Sequence, residues 1–364
     1  MSAITAGLAE RGHKITLLCD GDIFRSFLPP GVPTIHPCKV DQFQFFALPA
    51  HASAEPGSVG DPVVSWADAC ASDATEAVRP LQPEILISSL HCMHLADHLS
   101  RELNIPWVFI NPSFYFGDDA LHPWETDFAS PRAVRVFRDR FLPVSRRATA
   151  VLHATDPQYD PPPATLPEHH RYIGPLPWEG PQVDLPLLDE PGPPWILVTL
   201  STAPQQEEIR LARAAVDALA DRPFRVLLTL PAGQQRDELG LLPSNVRPTG
   251  FVPHGPVLER AKLVISQAGH GLVMKALYHG VPMVLVPWDR DQPGVAARAM
   301  ALGVAVVVPR SACDGPHMAA AIEHALDAPE LAHSAKRHSI RLRANDAIEL
   351  ACNCVMRVRS IICS

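Results

Sequence analysis

Between Trp195 and Arg310 the chain alternates short apolar runs with longer stretches of mixed character. The runs "WILVTL", "FRVLLTL", "AKLVIS", "PMVLV" and "VAVVV" are rich in β-branched and aliphatic residues and are bounded by Pro, Gly or polar positions, so each predicts a buried strand. Between them, "QQEEIRLARAAVDALAD" and the run from Leu272 to His279 place apolar residues at helical spacing, and Gly280 stops the second. The first half repeats the pattern more sparsely, with "KITLLC" (Lys14 to Cys19), "EILISS" (Glu84 to Ser89) and "PWVFI" (Pro106 to Ile110) as strands. The helical stretch "HCMHLADHLSRELNIP" joins the last two and ends at a proline, giving one βαβ unit.

Strands alternating with helices predict parallel sheets covered on both faces. The proline-rich stretch from Asp184 to Pro194 interrupts the alternation, which then restarts. The expected fold is therefore α/β, with two doubly wound Rossmann-like domains over residues 1–183 and 195–340, a linker at 184–194, and a ligand cleft between them at the carboxyl ends of the strands.

Composition narrows the function classes. The chain has 364 residues, enough for two cores, and a net charge of -8 with its cations scattered, which predicts no nucleic-acid partner and no membrane partner. Its 8 cysteines form no CxxC pair, which suits reduced thiols in the cytoplasm better than a disulfide framework or a zinc site. The start lacks the pattern of a secretory signal, and no apolar run has the length of a spanning helix. The 39 prolines cluster between elements, as in "DPPPA" and "DEPGPP", and are expected to stiffen connections.

The chemistry concentrates in "ISQAGHGLVMKALYHGVPMVLVPWDRDQ". Here a strand ends at Ser266, a turn of small residues (Gln267 to Gly271) follows, and a helix begins, so that backbone amides and the helix dipole suit a phosphate or diphosphate. Taken alone, such a turn is more often mere packing. The next strand delivers Asp291 and Gln292 to the same edge, where a carboxylate and an amide can bind vicinal hydroxyls, although Asp291 also suits a helix cap.

The run from Gly250 to Arg310, "GFVPHGPVLERAKLVISQAGHGLVMKALYHGVPMVLVPWDRDQPGVAARAMALGVAVVVPR", resembles the donor-binding signature of the inverting nucleotide-sugar glycosyltransferases of the GT-B fold. The likeness is to the bacterial branch that decorates macrolides and other secondary metabolites; it extends through "LVTLSTAPQQEE" and loosely over most of the chain, including "LAERGHKITLLC" and "LNIPWVFI". It implies that Phe251 stacks on the donor base, that Val252 meets the base edge and that His254 follows on the same loop. It puts Ser201 and Thr202 on the diphosphate, Gly269, His270 and Gly271 in the amide cradle beneath it, and Asp291 and Gln292 on the sugar hydroxyls. "RANDAIELACNCVMRVRSIIC", within 341–364, resembles the closing helix that returns to the first domain.

Several positions depart from that pattern. Gln267 stands where relatives usually carry a His on the diphosphate and is still expected to bind the donor, since its neutral amide can hydrogen-bond phosphate oxygens without bringing positive charge; Leu272 stands where Thr or Ser is common, and Lys275 where some place a ribose-binding Glu. The opening "MSAITAGLAERGHKITLLC" already resembles the first helix and second strand, so the expectation is that the first strand, with its loop bearing the usual His base, is missing. His13 lies at a helix-strand turn and is no replacement; Ser89 stands where relatives place the Asp that orients the base, and His91 is the candidate base, ahead of His94. "NPSFYFGDDALHPWETDF" lines an acceptor pocket or is a packed loop, with equal weight, and His169 and His170 are expected to be solvated.

The function so implied moves a hexose from a UDP- or dTDP-sugar to a hydroxyl of a small, largely apolar acceptor with inversion, in a monomer or homodimer without metal or cofactor. Two alternatives stand beside it: a catalytically impaired nucleotide-sugar-binding relative or auxiliary protein, and, less well supported, an epimerase-like enzyme on the same fold.

Overall fold

The computed structural model describes residues 1–18, 31–35, 61–115, 139–178, 184–201, 207–230, 236–288 and 290–362. In the second half, strands β7 (Trp195–Thr199), β8 (Arg225–Thr229), β9 (Val246–Thr249), β10 (Ala261–Ser266), β11 (Met283–Leu285) and β12 (Ala305–Val307) form one parallel sheet in the order β12-β11-β10-β7-β8-β9. The order reverses between β7 and β10, so chain leaving their carboxyl ends diverges and opens a crevice there. Strand β9 contains Pro248, which a sheet tolerates at an edge, and β9 is the edge.

Alternation within each strand divides the core into two layers. On β7, Ile196 and Val198 face Leu211, Ala215 and Leu219 of helix α4 (Ile209–Leu219) and Met318 and Ile322 of α8 (Gly315–Asp327). Trp195 and Leu197 face the other way, onto Val273 and Leu277 of α6 (His270–His279) and Val295 and Ala299 of α7 (Gln292–Ala301). Both faces of the sheet are therefore apolar, which is why its strands read as continuous apolar runs.

The first half holds a four-stranded parallel sheet in the order β3 (Leu86–Ser88), β4 (Trp107–Asn111), β5 (Ala150–His153) and β6 (His170–Tyr172). A separate parallel pair is formed by β1 (Leu17–Leu18) and β2 (Thr34–Ile35). On β4, Trp107 and Phe109 pack with Met93 of α3 (Met93–Leu103) and Val63 of α2 (Pro62–Val78), whereas Val108 and Ile110 pack with Ile4 and Leu8 of α1 (Ser2–Glu10).

The closing helix expected within 341–364 follows a further helix. Helix α9 (Pro329–Arg343) ends before Ala347, and α10 (Ala347–Ile362) then lays Ala351, Cys352 and Val355 against Ile4 and Leu8. A Cβ on Gly7 would come within 2.8 Å of Ile348 and 2.9 Å of Cys352, so a glycine is needed where α1 meets α10.

Three expectations need correction. The strand expected from Lys14 is only the two residues of β1. His170 is buried on β6, because its strand is paired with β5 and covered by neighbouring rings. Reduced thiols do not extend to Cys70, which is disulfide-bonded, while Cys92, Cys313, Cys352 and Cys354 are free. Among the described residues no helix is long and apolar enough to cross a membrane.

Candidate functional site

The crevice at the switch point is lined from both sides. Strand β7 runs into Ser201, and β10 runs through Gln267 and Ala268 into Gly269, which caps α6 with extended backbone. Ala268 is in the left-handed region (φ 67) and fully buried, so the turn is tight and points the first amides of α6 outward. Leu272 and Val273 donate their amides back to Gly269 O, which leaves those of Gly269, His270 and Gly271 at the end where the helix dipole is positive. A Cβ on Gly271 would meet no atom within 4 Å; the turn opens onto space rather than protein. The cradle expected at 269–271 has a geometry suited to an anion.

The neighbouring groups are already committed. The Ser201 amide donates to Glu208 Oε1 at 2.5 Å, with Glu208 fully buried, so this amide is committed within the protein. In the orientation that gives each of its amide atoms a partner, Gln267 donates to Thr199 O and accepts from Ser201 N, both at 3.2 Å. The side chain that replaces the usual His thus braces the two loops instead of facing the cradle. Thr202 lies outside the described residues.

The His270 imidazole points away from the cradle. It is hydrogen-bonded to the Pro112 carbonyl and, at 3.1 Å, to Thr155 Oγ1, both on the first domain, and burial, with Arg298 close by, lowers its pKa to about 3. His270 therefore offers the cradle its amide only, and its neutral ring ties the two domains together.

Asp291 and Gln292 stand at the start of α7. Asp291 occupies the N-cap position without making a side-chain cap bond, and its carboxylate instead accepts from Ser113 Oγ, 2.7 Å away on the first domain. Burial raises its pKa, opposed by the Ser113 hydrogen bond. Gln292 accepts from the Trp288 amide at 2.8 Å. On the loop after β9, Phe251 is 57% exposed, a high value for a phenylalanine, with its ring centroid 6.5 Å from that of His254. Val252 is buried beneath it. His254 has its pKa lowered to about 4 by burial and by Lys275, which places that cation beside the base loop.

The first domain contributes the opposite wall through the ends of β4 and β5. His91 sits on a 3-10 turn after β3, edge-on to Phe141 with centroids 6.4 Å apart. Although His91 keeps solvent-exposed surface, desolvation by the protein packed around its ring, Arg290 of the second domain and Arg140 pull its pKa down to about 4, so it is neutral near pH 7. The influence of Arg290 places His91 across from the loop that carries Asp291. His94 is bonded to the Arg140 carbonyl at 3.2 Å and serves packing.

Sequence reasoning missed the buried polar clasp between the domains. Asp160 binds Arg298 of α7 at 2.8 Å, with both side chains at 4% exposure or less; the Arg298 guanidinium stacks 3.9 Å from the Phe114 centroid; Tyr159 donates to Val295 O at 2.8 Å; and Arg341 forks onto Asp156. One signal was present: an arginine among small apolar residues in "PGVAARAM" implies a buried partner.

Two facing α/β domains with a crevice at the reversal of strand order define a GT-B fold. The calicheamicin glycosyltransferase CalG4 superposes with a TM-score of 0.76, covering 98% of this chain and 93% of that one at 21% identity. The glycosyltransferase VinC, solved in complex with dTDP, gives 0.72 over 99% and 96% at 20% identity. Residues 213–354 match the Erythromycin biosynthesis protein CIII-like C-terminal domain. The demethyllactenocin mycarosyltransferase of Streptomyces fradiae is 27% identical over 333 residues, 81% of this chain and 69% of that protein, while two further curated relatives are matched over only 51% and 44% of their lengths. The chain is thus similar to natural-product glycosyltransferases, and its second domain carries the family match.

Proposed function

We propose that the protein is a nucleotide-sugar-dependent glycosyltransferase that moves a hexose from a UDP- or dTDP-sugar to a hydroxyl of a small, largely apolar acceptor. The observation that supports it most is the open first turn of α6 at the switch point, with Asp291 and Gln292 delivered beside it. In this reading the diphosphate sits on the amides of Gly269 to Gly271, with the sugar at Asp291 and Gln292 and the base at Phe251.

The reaction is a single displacement. The acceptor oxygen attacks the anomeric carbon as its proton passes to a base, the bond from that carbon to the diphosphate oxygen breaks, and the nucleoside diphosphate leaves with inversion of configuration. Charge developing on the leaving group meets the α6 amides and dipole, which are in place before the reaction and need no reorganisation. His91 is the candidate base: its ring is neutral and faces the Arg290 loop, although a pKa near 4 makes it a weak acceptor of protons.

That weakness supports a second reading, a relative that binds nucleotide sugar without efficient transfer. The two are separated by incubating the protein with dTDP-glucose or UDP-glucose and a panel of hydroxylated polyketides, following glycosylated product by mass. Asp291→Ala should cut transfer sharply and leave binding of dTDP or UDP largely intact. Unchanged transfer in that variant would overturn the sugar-contact assignment, and dTDP or UDP binding without product in the native chain would favour the second reading.

A further inference from the structure

The carboxylate assigned to the sugar is held from the opposite domain, and the holding segment is itself fixed at every residue. Asn111, at the end of β4, accepts from the Ser113 amide at 3.1 Å and donates to the Phe114 carbonyl at 2.9 Å, pinning the turn that follows the strand. The Tyr115 amide donates to Asp160 at 2.6 Å, and Asp160 is in turn locked to Arg298 of α7. The Phe114 ring lies where a Cβ on Gly294 would come within 2.8 Å, with the Arg298 guanidinium over its face. Ser113 is thus presented to Asp291 by a short strut clamped at one end to β4 and at the other to the first turns of α7.

We propose that Ser113 is a positioning residue that sets the rotamer and the ionised state of Asp291 for the donor sugar, so that sugar recognition is complete only when the two domains are in contact. This rests on the donor-site reading given above. A carboxylate has two oxygens and several acceptor directions. Oδ2 takes the Ser113 hydroxyl at 2.7 Å and the carboxylate also accepts from the Asp291 amide, so the acceptor directions that remain for a sugar hydroxyl are fixed by these two bonds. Without the serine hydroxyl, Asp291 would lose both its orientation and the hydrogen bond that favours its charged form within a buried site. The charged and titratable groups acting around it are Arg290, which favours the carboxylate, and Tyr159, whose ionisation it opposes.

The test compares the native chain with Ser113→Ala and Ser113→Thr, using dTDP-glucose and UDP-glucose against dTDP and UDP by calorimetry, together with kcat/KM for the donor as a function of pH. Ser113→Ala should weaken the sugar nucleotide by about tenfold, the effect of one lost hydrogen bond to a charged group, while the free diphosphate binds within about twofold of native. Its acid limb should move to higher pH, because a less stabilised carboxylate protonates sooner; Ser113→Thr, which keeps the hydroxyl, should restore both. Equal behaviour of Ser113→Ala and the native chain overturns the proposal, as does an equal loss of affinity for dTDP and dTDP-glucose, which would mark a general loss of folding. If the native chain binds dTDP-glucose and UDP-glucose no better than buffer, the donor-site reading fails and this proposal fails with it.

Discussion

His153 and His270 are held uncharged inside the protein, each with its pKa lowered to about 3 by burial first, His153 next by His170 and His270 by Arg298. The His153 tautomer follows from its neighbours: Asn111 Nδ2 donates to Nδ1, so the proton sits on Nε2 and is donated to His170 at 3.0 Å. Protonating either ring would strand a charge among partners already committed. In the unfolded chain each imidazole takes up its proton near pH 6.5, so stability is full above that value and is lost progressively as pH falls toward the folded pKa near 3. From pH 7.5 to 5.5 each group costs about 1.4 kcal/mol and the two together about 3 kcal/mol, a large part of an ordinary folding free energy. Asp160 and Asp291 act in the opposite sense, since burial raises their pKa and acid relieves the cost of their charge. The test is therefore a difference: guanidinium unfolding followed by circular dichroism at pH 7.5, 6.5 and 5.5 for the native chain and for a His153→Gln/His270→Asn double variant. The variant, though less stable at pH 7.5, should lose about 3 kcal/mol less over the interval. Parallel pH dependences would refute the buried, neutral state of these two rings.

Three further outcomes follow from the same geometry. Arg298→Leu should destabilise the protein by about 3–5 kcal/mol in chemical denaturation, because it leaves Asp160 buried without its cation; a loss under about 1 kcal/mol would show that the clasp is not maintained in solution. Gly271→Asp should fold normally, since a Cβ there meets nothing within 4 Å and an acid suits a helix start, yet lower dTDP affinity by about tenfold or more through repulsion at the cradle; unchanged calorimetric affinity would place the diphosphate elsewhere. His91→Ala should reduce kcat by about 100-fold or more with donor KM little altered if His91 is the base; unchanged kcat would remove it from the reaction.

The second domain was legible because its strands are buried on both faces, which makes "WILVTL" or "AKLVIS" unmistakable as apolar runs. The first domain was less so. Strand β6 is "HRY" and β5 is "AVLH", short segments whose polar residues are satisfied by contacts with distant chain, such as the His153–His170 bond. No local pattern announces such a bond. At the site, the glycine turn and the Asp291–Gln292 pair stood out from spacing, but the direction of each side chain did not: Gln267 turns back to the backbone, His270 crosses to Thr155, and Asp291 meets Ser113 from a residue 178 positions away. "NPS" carried the signal of an Asn-based turn, and what that turn presents became evident only once β4 was set opposite α7.

Whether the α6 turn and Asp291 together hold a nucleotide sugar for transfer is tested by the release of nucleoside diphosphate from dTDP-glucose and UDP-glucose, with and without a hydroxylated polyketide acceptor, in the native chain and in Asp291→Ala. Acceptor-dependent release matched by product one hexosyl unit heavier is expected in the native chain, with near-complete loss of both in the variant. Release or epimerisation of the donor without acceptor, or equal transfer by the variant, would contradict that role.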